Sequence, residues 1–243
     1  MIDAQPMIHL AYAIELSSKT LAIEALAMTC CLLDTQDKYM TEIKYNSRSG
    51  SFSSQSPIAV FNEIAQDSRL DGIRDSAQTG ASQLELSKEH EDVVLEYWHA
   101  LEFGNLTSQF EEMQRLAVAL AVSLHKSVAQ QSPLTRNLLH GSRAVRVLLP
   151  RIPGRFRIPL IRQWWLLAIT TYICNGRVES ATGQIAKVDS KDNDWKAVEA
   201  LVQTKGLHDV YFLGDIVSIR QMADTWGDSD RYYLKAALLY GEE

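Results

Sequence analysis

Apolar residues recur at helical spacing in one block after another of this chain, and nowhere does a convincing apolar–polar alternation of the strand kind appear. That regularity removes sheets from the menu. It predicts an all-α chain, a single irregular helical domain of about eight to ten helices over residues 1–243. The first helix runs from Pro6 to about Leu33, with proline near its start, where a missing N–H costs nothing. A Ser-rich loop follows at 46–56, and Ser56 then caps a helix that has Pro57 at its first position. Further helices are expected at about Gln83–Phe103, Thr107–Ala129, Pro133–Leu149, Pro159–Asn175, Val178–Val188, Asp192–Thr204, Leu207–Trp226 and Asp228–Tyr240. No repeat of fixed period argues for a solenoid.

The opening stretch, "QPMIHLAYAIELSSKTLAIEALAM", is apolar on more than one stripe, whereas a helix at the edge of a domain needs only one. It predicts an exposed apolar flank or an open pocket beside His9, and a tendency to self-associate. Glu15 and Lys19, four residues apart, are expected to form a surface pair on this helix.

Composition excludes several classes. A net charge of −6 argues against general nucleic-acid binding, which wants a basic footprint. No run of about 18 apolar residues offers a membrane span. With no basic-then-apolar start of the secretory kind, the expected location is cytoplasmic. Cys30, Cys31 and Cys174 form no CxxC and are read as reduced thiols, the adjacent pair as core filling rather than a redox device. HExxH, P-loop, GxSxG and GxGxxG are absent, so redox chemistry here would need a site other than a Rossmann domain.

Six histidines form the most useful inventory. His9 shares a helical face with Tyr12, Ala13 and Leu16, and His125 shares one with Val118, Ala121 and Val122; taken alone, both read as hydrogen-bonded core residues. His90 and His99 lie in an acid-rich, solvated helix. His140 is flanked by basic residues, which favours the neutral imidazole that a metal takes. Near the C-terminus His208, Tyr211, Phe212 and Asp215 fall on one face, so ligand, donor and base could look into a cleft; an amphipathic rim fits the same spacing. The segment Arg143–Arg162 carries six arginines and no acid. It reads either as an anion site, as for a cofactor phosphate, or as a kinked connector whose arginines pair with the acidic helix around Glu89–Glu102.

Five blocks in order, "QPMIHLAYAIELSSKTLAIEALAM", "SPIAVFNEIAQDSRLDGI", "NLLHGSRAVRVLLPRIP", "IRQWWLLAITTYICNGR" and "DWKAVEAL", followed by "DVYFLGDIV", resemble the questin oxidase-like proteins. The resemblance implies a helical, mostly fungal family that oxidises aromatic polyketides such as anthraquinones in secondary metabolism. Its members are described as Baeyer–Villiger-type monooxygenases linked with NADPH, and some resemble non-haem iron oxygenases that hold the metal with histidines and a modified lysine. By the same resemblance the opening helix is an interior element, and a preceding N-terminal half, here missing, would be a separate chain or a partner. His9 and His140 stand at the histidines of their blocks and become candidate metal ligands. The family pattern resembling Asp-x-His-x-x-Lys meets Asp209, Tyr211 and Gly214 here, which leaves an iron ligand set incomplete. The expectation is an oxidoreductase whose polyketide stacks near Trp164, Trp165 and Tyr172. His9 and His140 would bind metal or polarise a carbonyl, with Tyr211 as proton donor and His208 as a third site member. The other reading is a non-catalytic remnant or partner subunit that binds a polyketide or a second chain.

Overall fold

The structure, a computed structural model, describes residues 4–32, 50, 52–73, 88–126, 133–191, 193–205 and 209–241. Among the described residues it is all-α: eleven α-helices and no strand, only an isolated bridge between Ser54 and Leu101. No described helix is long and apolar enough to cross a membrane.

The expected first helix is two. α1 (Gln5–Glu15) stops at Leu16, and α2 (Lys19–Leu32) folds back against it. The break is local chemistry: Ser17 takes a left-handed φ of 51°, and the Ser18 hydroxyl accepts the Leu21 N–H at 3.3 Å to start the next helix. Glu15 is therefore not paired with Lys19. It receives the guanidinium of Arg143 instead. The apolar surplus of the opening stretch is partly open, since Ala11 and Ala25 are buried while Leu16, Ile23 and Leu26 are exposed. Cys30 and Cys31 are exposed as well, so they do not fill the core. Cys174 is buried.

The Ser56–Pro57 start is as expected: α3 (Pro57–Gln66) begins with the Ser56 hydroxyl accepting the Ala59 N–H and donating to Glu112 at 2.6 Å. Then come α4 (Lys88–Ala100), α5 (Leu106–Lys126), α6 (Pro133–Leu148), α7 (Arg157–Cys174), α8 (Thr182–Lys187), α9 (Trp195–Lys205), α10 (Val210–Trp226) and α11 (Tyr232–Gly241). α7 is buried on every side from Trp164 to Cys174, as an all-round apolar helix must be. It ends where Gly176 turns the chain with φ 75°. α6 packs against α1, α5, α7 and α10, and so brings two distant parts of the chain to one place.

Those contacts also explain the arginine-rich segment. Arg162 lies over the rings of Trp98 and Phe103, so its partners on the α4 side are aromatic. Arg143 is buried and binds Glu15 of α1 and Gln221 of α10 while its guanidinium covers the Tyr12 ring. One side chain thus ties three helices together.

Candidate active site

Where α1, α6 and α10 meet, a pocket of about 760 Å³ opens, with Leu21 of α2 at its edge. α1 offers Gln5, Ile8, His9 and Tyr12 from one face; α6 contributes Asn137 and His140, three residues apart. α10 supplies Tyr211, Leu213, Gly214 and Val217. Gln5 donates to Asn137 at 2.9 Å and closes one side. The walls are largely aliphatic, with a small set of convergent polar groups, as in a site for a small organic molecule.

The polar centre is His140. Its Nε2 lies 3.1 Å from Oδ1 of Asp215, and the phenol of Tyr240 donates to the other carboxylate oxygen at 2.6 Å. Asp215 is buried. A carboxylate only accepts, so Nε2 is the donor in this bond, and in the neutral tautomer that fits it Nδ1 is the acceptor. Tyr240 is itself held between the rings of His125, stacked at 4.1 Å, and Phe212, at 5.8 Å. A chain of contacts therefore runs from α11 through α10 to α6. Asp209 starts α10 by accepting the N–H groups of Tyr211 and Phe212, which sets the register that turns Asp215 inward and leaves Tyr211 half exposed at the pocket.

The residues expected from the sequence are divided by this arrangement. His9, His140 and Tyr211 come together in the pocket. His208 lies outside the described residues. Trp164, Trp165 and Tyr172 do not line it: they are buried in the core, where Trp164 donates to the Leu138 carbonyl and Phe61 packs on both Trp165 and Tyr172. As α7 is enclosed from Trp164 to Cys174, these three side chains pack the core. Asp215 and Tyr240 were not expected as partners of His140. The helical face shared by Tyr211 and Asp215 was the only sequence signal for one of them.

The implied cofactors can be set against these side chains. Among the described residues no three His, Cys, Asp or Glu side chains come close enough to hold a metal ion, and His140 already gives one nitrogen to Asp215. That donor set does not fit iron, which wants several ligands facing one open position. Among the described residues no Lys or Arg lines the pocket, a lining that does not fit the phosphates of NADPH either.

A family model described as questin oxidase-like matches residues 4–212. The chain belongs to the questin oxidase-like family. Membership supports an oxidoreductase of aromatic polyketide metabolism. The matched stretch includes His9, His140 and Tyr211 and stops before Asp215 and Tyr240. No curated protein and no solved structure matches the chain.

Proposed function

We propose that this protein is an oxidoreductase that oxidises a phenolic aromatic polyketide of the anthraquinone type with dioxygen, either in a ring cleavage that keeps both oxygen atoms in the product or in a Baeyer–Villiger-type insertion of one atom, for which an external two-electron reductant of the NADPH class carries the other atom to water. The observation that carries this reading is the aspartate-backed imidazole of His140 at the wall of a pocket large enough for a fused tricyclic ring, in a chain of this family. Nδ1 of His140 takes the phenolic proton, and Asp215 stabilises the imidazolium that forms. The resulting phenolate is the electron-rich form that dioxygen attacks. His9 polarises a ring carbonyl from the α1 side, and Tyr211 donates to the oxyanion that develops there. The aliphatic walls contributed by Ile8, Leu21, Leu213 and Val217 take the ring faces and exclude water.

The test is oxygen uptake by the purified chain with hydroxyanthraquinones, with and without NADPH, together with equilibrium binding of the same compounds. Uptake that falls by at least about 100-fold in His140→Ala supports the reading, since a positioned base contributes about 10²–10⁴-fold. Failure of wild type to bind any planar phenol overturns it.

A second reading is a binding subunit that completes its chemistry with another chain. The incomplete metal-ligand set and the Tyr211 and Gly214 substitutions favour it. Tight binding of hydroxyanthraquinones without oxygen uptake, with uptake restored by a histidine-bearing partner, would select it.

A further inference from the structure

A second and smaller pocket, of about 280 Å³, lies between the start of α5, the end of α6, the start of α7 and the end of α10. Two arginines line it, Arg146 and Arg157, together with Leu106, Thr107, Phe110 and Trp226, and among the described residues no carboxylate does. We propose that this pocket binds an oxyanion, the phosphate or carboxylate group of a small ligand, between Arg146 and Arg157.

Arg146 is the first reason. Its Nε is buried without a hydrogen-bond partner, and its one side-chain bond is a long one, 3.4 Å, to the Gln221 oxygen that Arg143 already uses. Among the described residues it forms no ion pair, although burial and the neighbouring charge of Arg143 both disfavour its cationic form. Glu15 and Asp224 offset this from a distance. A guanidinium does not give up its proton, so a partly buried positive charge without a carboxylate partner is a standing cost, which an anion arriving in the pocket offsets.

Arg157 is the second reason. It is the first residue of α7, the end at which the helix dipole repels a cation, and it too forms no ion pair among the described residues. A ligand anion between the two guanidiniums compensates both.

The backbone adds to this. At the start of α5 the Asn105 side chain and carbonyl take the N–H groups of Ser108 and Gln109, which leaves those of Leu106 and Thr107 without a partner inside the helix. Phe110 and Trp226 form an apolar wall that lowers the local dielectric and suits the organic part of such a ligand. The chain as a whole carries −6, so the preference is local to this pocket and not a property of the whole surface.

The experiment is titration of the full chain with inorganic phosphate, phenyl phosphate and benzoate at constant ionic strength set by sodium chloride. Binding is read by calorimetry and by the amide signals of Leu106 and Thr107. The expected result is saturable binding of at least one of the three, weakened about tenfold or more in Arg157→Gln, an exposed change that spares the core. Arg146→Met, which keeps the stem and removes the charge, should abolish binding yet melt no lower than wild type without anion. Phosphate against benzoate separates a phosphoryl from a carboxylate ligand, and tighter binding of phenyl phosphate than of phosphate assigns the apolar wall. No binding above the chloride control, or unchanged affinity in Arg157→Gln, overturns the proposal. None of these readouts depends on oxidase activity, so failure here and failure of the oxidoreductase reading are distinguishable.

Discussion

The ring of His140 lies so close to Gly214 that a β-carbon built on Gly214 would stand 2.6 Å from its Cε1 and 3.1 Å from its Nε2. Only a residue without a side chain lets the imidazole rest on α10 and reach Asp215 one residue further on. In an exposed helix, glycine to alanine gains about 1 kcal/mol from backbone entropy. Here the new methyl meets a ring pinned by its carboxylate, an overpacking that costs about 1–3 kcal/mol. Gly214→Ala is expected to lower the melting temperature and to break the His140–Asp215 bond, visible as a shift of the His140 ring signals. An alanine variant that melts higher with those signals unmoved would mean that the ring has room to spare.

Asp215 is expected to matter more to chemistry than to folding. In Asp215→Asn the amide keeps the size of the carboxylate, but it stabilises an imidazolium poorly and permits the wrong tautomer. Oxygen uptake should fall by about 10²-fold or more while the helical content stays unchanged. Tyr240→Phe, which leaves Asp215 its bond to His140, should have a smaller effect and move the pH profile of turnover. Equal activity in Asp215→Asn and wild type would remove Asp215 from the site.

Helices were legible where the start carries its own chemistry, Ser56 with Pro57 and Pro133 at the head of α6, whereas the Asp209 cap of α10 lies inside the helix expected from Leu207. The break at Ser17 was not, because an apolar pattern that continues on both sides hides a turn made by one residue of positive φ. His9 and His140 were found by the blocks in which they stand. Asp215 and Tyr240 lie past the matched stretch, and the bonds from His140 to Asp215 and from Asp215 to Tyr240 span 75 and 25 residues, separations that no local periodicity reports. The tryptophan pair misled for a related reason: helical spacing says which side chains share a face, not whether α7 has neighbours on all of its faces.

Acid should weaken the corner where α3 meets α4. The Arg69 guanidinium, above all, holds the Asp67 carboxyl at about 2, helped by the Arg69 backbone N–H and the Tyr97 hydroxyl and opposed by burial. Its folded value is depressed below the 3.8 of the free group, so its stabilisation is complete above that pH and is lost as pH falls through about 2. Thermal melts from pH 6 to 1.5 should show Asp67→Asn less stable than wild type at the upper end, with the difference closing at the lower. A constant difference across that range would refute the assignment.

The last expectation concerns Arg143, which holds the His9 helix against the His140 helix. Its guanidinium is buried, bonded to Glu15 on α1 and Gln221 on α10, and laid over Tyr12, itself a wall of the pocket. Glu15 lies at the surface, so Arg143→Ala strands no buried carboxylate but removes a buried, hydrogen-bonded side chain, at a cost of about 1–3 kcal/mol. In a chain of this length each kcal/mol shifts the melting temperature by about 2–4 °C, so Arg143→Ala should melt roughly 2–12 °C lower. The charge alone is not what the site needs. Lysine cannot reach Glu15 and Gln221 together in a planar fork, so Arg143→Lys should recover only part of the loss. Removing the carboxylate as well tests the pairing directly: Glu15→Gln should cost much less in the Arg143→Ala background than in wild type, a coupling of about 1 kcal/mol or more. Because α1 carries His9, these variants should also weaken hydroxyanthraquinone binding in step with stability. Strictly additive effects in that double-mutant cycle would show that Arg143 and Glu15 act independently and that α1 is held by its apolar contacts alone.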